Sequence, residues 1–427
     1  MKRTDTQIYV LFNTGRLWAV SNSGDSLGSL NATGIGPSYL SNIINFWVCT
    51  LNNHTIPHHI FINNNNTSIQ CKGINAVGQL GIGNTTDQTS FATLNTTTFA
   101  PTNVLNIWPI FYSTSGFTVI QTTDFRIWFT GANFNGVFGN SSSSNSSSFL
   151  DVTSFWGNLF LPIQTLIGSV FGSAFCVIHR KNGTQDVLHM SGILNSTSPL
   201  APVNVSLSFL QPGESISQLT FSGNAATNPR VYLLTSNKNM YIYGMNILGT
   251  ATSTSFTSAS TNIDRVLIPI GVDSMNASYN NNRFIPTLVM RNGVFSGAGG
   301  VIMGNSPAAY HIPGLIRPPG SGTSTFVNCA INYCGSSSTI VETRFINRFA
   351  SALGDPNHMI ILALDSNGYL YLTFCHANYS GNNIPPAIPI VLTGLSFPSN
   401  TSNNNNSFGG YGSLISNYQY VPVNPKM

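Results

Sequence analysis

The sequence predicts an all-β protein built from repeated small antiparallel sheets, and three observations carry that prediction. A unit of apolar run, polar turn, second apolar run and glycine-punctuated loop recurs seven times along the 427 residues. The chain holds 39 Gly, 22 Pro and 47 aromatic residues (5 Trp, 15 Tyr, 27 Phe), which suits short strands joined by turns. It is nearly devoid of the charged residues that favour long helices, with two Glu (Glu214 and Glu342) and five Lys.

The clearest unit runs from His59–Ile62 through the Asn-rich turn Asn63–Thr67 to Ser68–Cys71 and the loop CKGINAVGQLGIG at 71–83. Before it, Ile8–Phe12, Asn13–Gly15, Arg16–Val20 and Ser21–Gly28 repeat the order. After it come Phe117–Ile120, Thr122–Asp124, Arg126–Phe129 and the loop GANFNGVFG at 131–139. Weaker copies follow at Phe175–Ile178 with Asp186–Met190 and Gly192, and at Val231–Leu234 with Met240–Gly244 and Asn246–Gly249. The last two are Thr287–Met290 with Gly293–Phe295 and Gly297–Gly300, and Ile360–Leu364 with Asn367–Gly368 and Tyr369–Leu372. Five copies also have an upstream apolar segment: Ile44–Val48, Val104–Trp108, Leu166–Phe171, Ile216–Phe221 and Phe345–Phe349. Copies are offset by about 52 to 60 residues, with about 75 before the last.

A unit of this size cannot bury both faces of its own sheet. Radial stacking of such units solves this, which is the logic of a β-propeller. The sequence therefore predicts one domain over 1–427: seven four-stranded blades, an insert at 316–345, and an Asn/Gly-rich linker at 398–412. The first copy starts with its second strand, so Ser413–Val421 is expected to complete that blade and close the ring, removing an open sheet edge. The pattern G-x-N-x-x-G-Q-L-G-x-G, carried by Gly73, Asn75, Gly78, Gln79, Leu80, Gly81 and Gly83, resembles the repeat of the regulator-of-chromosome-condensation family. Gly131, Asn133, Gly136 and Gly139 match it fairly, as do residues 22–28, and four copies are eroded. The resemblance spans about 7 to 421 and implies a seven-bladed propeller of about fifty residues per blade. Glycines belong there for positive φ or close backbone approach, and Asn and Gln amides for satisfying loop backbone groups.

Only 7% of residues are charged, 16 Lys and Arg against 12 Asp and Glu, for a net charge of +4. Asn replaces much of the missing charge, with 51 copies. Scattered basic residues, adjacent only at Lys2–Arg3 and Arg180–Lys181, argue against a nucleic-acid partner. The N-terminal apolar run of five residues reads as no signal peptide. Val152–Ile178 is uncharged, but it contains Pro162, Gln164, Thr165, Gly168 and Gly172; the repeat phase assigns it to inner strands rather than a transmembrane segment. Thr339–Leu353 places Val341, Phe345, Phe349 and Leu353 at four-residue steps, as a helix would; the repeat instead favours a strand at Phe345–Ala350 and leaves room for a short helix before it.

No catalytic motif, cofactor fingerprint or metal-ligand spacing emerges, so the reading is of a non-enzyme with no cofactor and no metal. The stretch at 131–136 lacks the second glycine of a dinucleotide loop. His54, His58 and His59 form the densest histidine group; a metal reading competes with a structural role for His59 at a strand start. The six Cys show no metal or dense disulfide spacing, although Cys329 and Cys334 could close a small loop in an oxidising compartment. Glycosylation sequons include Asn31, Asn53, Asn84, Asn95, Asn140, Asn145, Asn182, Asn195, Asn204, Asn276, Asn378 and Asn400, little above the number that this Asn, Ser and Thr content yields by chance.

These features point to a structural or protein-interaction disc whose partners are other proteins, including copies of itself within an assembly. A virus particle, surface layer or extracellular setting suits the low charge better than the cytoplasm. The resemblance also implies two alternatives: guanine-nucleotide exchange on a small GTPase, and a secreted inhibitor.

Overall fold

The computed structural model describes residues 2–3, 7–21, 40–48, 60–94, 99–112, 114–157, 160–170, 174–192, 201–222, 230–245, 252–267, 287–299, 315–316, 323–328, 330–331, 340–346, 359–365, 370–375 and 388–390. They form an all-β chain in which successive sheets follow the repeats.

The first sheet has three strands, β1 (Lys2–Arg3), β2 (Gln7–Leu11) and β3 (Leu17–Ser21). Each of the next four is a four-stranded antiparallel meander. The second comprises β4 (Ile43–Val48), β5 (Ile60–Asn64), β6 (Ser68–Gly73) and β7 (Gln88–Thr93). The third comprises β8 (Val104–Tyr112), β9 (Ser115–Thr122), β10 (Ile127–Gly131) and β11 (Ser146–Asp151). The fourth comprises β12 (Ile163–Ser169), β13 (Phe175–Asn182), β14 (Gln185–Gly192) and β15 (Val203–Asn204). The fifth comprises β16 (Ile216–Ser222), β17 (Arg230–Thr235), β18 (Met240–Met245) and β19 (Thr252–Ser260). In the sixth, β20 (Ile263–Leu267), β21 (Thr287–Arg291) and β22 (Val294–Gly299) are followed by the short β23 (Leu315–Ile316) before β24 (Thr323–Asn328) completes the sheet; β23 pairs with β25 (Ala330–Ile331). The last sheet comprises β26 (Ile340–Ile346), β27 (Met359–Asp365), β28 (Leu370–Cys375) and β29 (Ile388–Ile390).

Burial explains why some strands were easy to read. Second strands are buried on both faces: every residue of β17, and all but the first of β9. The first six sheets pack on one another in order through separate apolar layers. Trp47, Phe61 and Leu80 meet Ile107, Ile120 and Phe149 between the second and third sheets. Phe117, Phe129, Phe138 and Trp156 meet Cys176 and Ile178 between the third and fourth. A fully buried Phe or Leu in such a layer contributes roughly 1.5–3 kcal/mol. Fourth strands are mostly exposed, as in β7 and β11. Low charge is thus compatible with a large core, since both faces of the inner strands are apolar.

Registers repeat as well. Every first strand from β4 onward carries an irregularity after its opening residue, at Ile43, Val104, Ile163, Ile216, Ile263 and Ile340. The turns match their residues: Asn65 and Asn66 take left-handed φ between β5 and β6, and Asn292 and Gly293 do so between β21 and β22.

Three expectations change. Lys2–Arg3 occupies part of the edge beside β2, paired with Tyr9 and Ile8, so the first copy does not begin with its second strand. Ser413–Val421 lies outside the described residues, as does the linker at 398–412. Much of the supposed insert at 316–345 is sheet, since β24 and the start of β26 fall within it. The strand expected at Phe345–Ala350 begins earlier, at Ile340, where a short helix was entertained; pairing of Ile340 with Asp365 overrides the four-residue spacing. The uncharged stretch 152–178 supplies β12 and the start of β13, and no helix among the described residues is long and apolar enough to cross a membrane.

Candidate functional site

The signature loops are latches between neighbouring sheets, each organised by one buried asparagine. Asn75 Oδ1 accepts the Leu80 N–H at 2.8 Å, and its Nδ2 donates to the Asn84 carbonyl at 2.8 Å and to Asn84 Oδ1 at 3.3 Å. The Asn75 N–H donates to Asp87 Oδ1 at 2.7 Å. Asn133 repeats this bond for bond. Its Oδ1 accepts Phe138 N–H at 2.8 Å, its Nδ2 donates to Ser142 O at 2.8 Å and Asn140 Oδ1 at 3.2 Å, and its N–H donates to Asn145 Oδ1 at 2.9 Å. Both asparagines are wholly buried. A neutral amide offers two donors and an acceptor at a point where the backbone cannot pair with itself.

Each loop then grips the next sheet. Gln79, also wholly buried, accepts Val77 N–H at 2.9 Å and donates to Thr114 O at 3.1 Å, while Thr118 and Thr130 hydroxyls donate to Gln79 O and Gly78 O. One sheet further, the Ser191 hydroxyl donates to Val137 O at 2.5 Å. Gly78 has φ +84°, and a Cβ there would stand 2.4 Å from Ser147 Cα. Gly131 has φ +100° and a Cβ would meet Gly116 O at 2.4 Å. Gly81, Gly83, Gly136 and Gly139 also adopt positive φ, and Leu80 packs in the core.

Two glutamines that the sequence reading did not single out, one in the second strand β9 and one in the first strand β16, reach the first strand of the next sheet in the same neutral manner. Gln121 accepts Ile163 N–H and donates to Leu161 O, both at 2.9 Å. Gln218 accepts Val266 N–H and donates to Val266 O, also at 2.9 Å. A pair of strand glutamines carries no sequence signal without the sheet register that places them.

Charged groups concentrate instead around the β13–β14 hairpin. On the face toward the fifth sheet, His179 Nε2 lies 2.8 Å from Asp186 Oδ1, and Asp186 Oδ2 accepts Ile216 N–H at 2.7 Å. Burial lowers the His179 pKa, and the Asp186 carboxylate only partly offsets this. On the opposite face, Arg180 is wholly buried, donates Nη1 to Trp156 O at 2.8 Å, and has its pKa lowered to about 10 by burial. His189 is pushed down to about 4, by burial first and then by the Arg180 charge. Cys71 and Cys176 are free and buried, and burial raises both thiols, Cys71 to about 12.

A groove of about 430 Å³ opens beside this hairpin, lined among others by Asp186, Asn204, Ser206, Leu207, Leu210 and Glu214. Both carboxylates in its wall are already engaged. Burial works to raise the Glu214 pKa, but the Thr235 hydroxyl, Gln211 N–H and Asn239 amide, all donating to the carboxylate, outweigh it and hold the group below its ordinary value. Among the described residues no three His, Cys, Asp or Glu side chains gather as a metal site.

Of the sequons, Asn84, Asn140 and Asn145 have side chains tied into the two asparagine knots. Asn182 ends β13 at an exposed hairpin tip and Asn204 lies exposed in β15. Asn31, Asn53, Asn95, Asn195, Asn276, Asn378 and Asn400 lie outside the described residues, as do His54, His58, His59, Cys329 and Cys334.

No protein-family model and no curated protein matches the chain. Solved structures do. Human WBSCR16 is 10% identical, with 79% of this chain and 81% of that one covered at a TM-score of 0.47. The complex of Kap60 with yeast RCC1 (Prp20) gives 13% identity, 82% and 75% coverage and 0.46. The BP39L lectin from Burkholderia pseudomallei gives 12% identity, 90% and 97% coverage and 0.41. The four-stranded antiparallel sheets of this chain resemble propeller blades.

Proposed function

We propose that the chain is a non-catalytic structural or protein-interaction propeller, with seven blades closed into a ring, serving as a component of a virus particle, surface layer or comparable assembly. The observation that carries this reading is an arc of exposed apolar side chains at the turn-bearing end of the first four sheets. Phe12, Ile44 and Leu105 are 44%, 46% and 45% exposed, and Phe155 and Phe160 are 44% and 49% exposed.

Backbone bonds place these residues together at that end. Phe12 opens the β2–β3 turn, bonding to Gly15 and Arg16, and Ile43, beside Ile44, donates its N–H to Gly15 O. Leu105 follows Val104, whose partner Thr122 ends β9. Phe160 precedes Leu161, held by Gln121 next to Thr122, and Phe155 bonds back to Val152, itself joined to Ile127. Ile44 and Leu105 occupy the irregular second position of their strands; the same position holds Gln164, Ser217 and Asp264 in the next three sheets. The position is apolar again at Val341 of the last sheet, so the apolar choice falls on the second, third and last sheets. Clustered exposed apolar side chains mark contact surfaces, and ion pairs such as Arg126 with Asp124 and Asp151 leave little net charge nearby.

Cross-linking mass spectrometry on native particles or membranes tests this. Links from the turn-bearing end of sheets one to four to neighbouring structural proteins are expected, and Ile44→Asp with Leu105→Asp should abolish them without unfolding the chain. Recovery solely as a monomer that releases nucleotide from a small GTPase would overturn the reading.

A further inference from the structure

We propose that the interface between the third and fourth sheets holds a small monovalent inorganic anion, of halide size, bound by Arg180 and His189. Arg180 is 0% exposed, yet Nε and Nη2 have no hydrogen-bond partner; the one bond the guanidinium makes is from Nη1 to Trp156 O. His189, 6% exposed, leaves Nδ1 unpartnered. Pairing of Arg180 with Val187, and of Ile178 with His189, puts the two side chains on one face of the hairpin as diagonal neighbours, within mutual reach of long side chains.

The carboxylate nearest in sequence cannot neutralise this charge. Asp186 sits on the opposite face, where His179 and the Ile216 N–H occupy its two oxygens. No ion pair among the described residues includes Arg180. An uncompensated buried guanidinium is costly, and orphaned buried donors in native proteins ordinarily have a water or ion as partner. Water would satisfy hydrogen bonds but leave the charge; an anion supplies both. Complete burial excludes a partner protein's carboxylate, and the surrounding Phe138, Trp156, Cys176 and Ile178 favour a weakly hydrated ion.

The test compares urea unfolding of the full chain in sodium bromide and sodium gluconate at equal ionic strength. Bromide should stabilise little below its dissociation constant and, above it, raise the folding constant tenfold for each tenfold in concentration, about 1.4 kcal/mol. Arg180→Met should remove the difference. Should that variant not fold, anomalous diffraction from wild-type crystals grown in bromide decides instead. A bromide peak at hydrogen-bond distance from Arg180 Nε supports the site; equal stability in both salts, or a water at that position, overturns it.

Discussion

The loops at 73–83 and 131–139 and the β13–β14 hairpin solve the same problem, polar groups inside a packed sheet interface, in opposite ways. The loops use neutral amides, and Asn75 and Asn133 each satisfy both ends of their side chain and a backbone N–H in a fixed pattern. The hairpin uses charge, and Arg180 and His189 keep orphaned atoms. A neutral amide satisfied by backbone costs little to bury, whereas a buried ion costs several kcal/mol unless paired. The shortage of Lys, Arg, Asp and Glu in this chain is thus matched by Asn and Gln doing inside the structure what ion pairs would do poorly there.

The largest effect that would break the comparison lies at Gly78. Gly78→Ala forces a side chain into positive φ and onto Ser147 Cα, and should destabilise by roughly 3 kcal/mol or more in urea unfolding. Asn133→Ala strands the buried Phe138 N–H and should cost about 2–3 kcal/mol by the same measurement.

Acid should act on the hairpin and spare the loops. His189 has its pKa lowered from 6.5 to about 4, and burial lowers His179 as well, so the unfolded chain takes up protons first as pH drops. The stability these groups provide is complete above about pH 6.5 and declines toward pH 4. Unfolding midpoints in halide-free buffer should fall through that window, less steeply when bromide is present. Smallest of all, Asp87→Asn should change stability by less than about 0.5 kcal/mol, because Asn145 already performs the equivalent acceptance with a neutral oxygen.

The two regions also differ in how far they could be read from residues alone. Loop glycines and their asparagine recur at fixed spacing, so 73–83 identified the repeat. Second strands such as Val231–Leu234 were visible because burial on both faces makes them continuously apolar. Fourth strands were not: β19, TSTSFTSAS, sits at a sheet edge where Ser and Thr serve as well as Val. In sequence Arg180 is only half of an adjacent basic pair with Lys181. Strand alternation puts it instead on the face of Cys176 and Ile178, which is evident only once the Phe175–Asn182 register is known. Gln121 and Gln218 act across sheets, and their partners are set by packing rather than by neighbours in sequence.

Hydrogen exchange at the Phe138 amide tests most directly the claim that neutral asparagine knots hold the sheets together. In the wild-type chain this N–H should exchange only through global unfolding, and in Asn133→Ala it should exchange orders of magnitude faster while Leu80, held by Asn75, stays protected. Unchanged Phe138 protection in the variant would contradict the account.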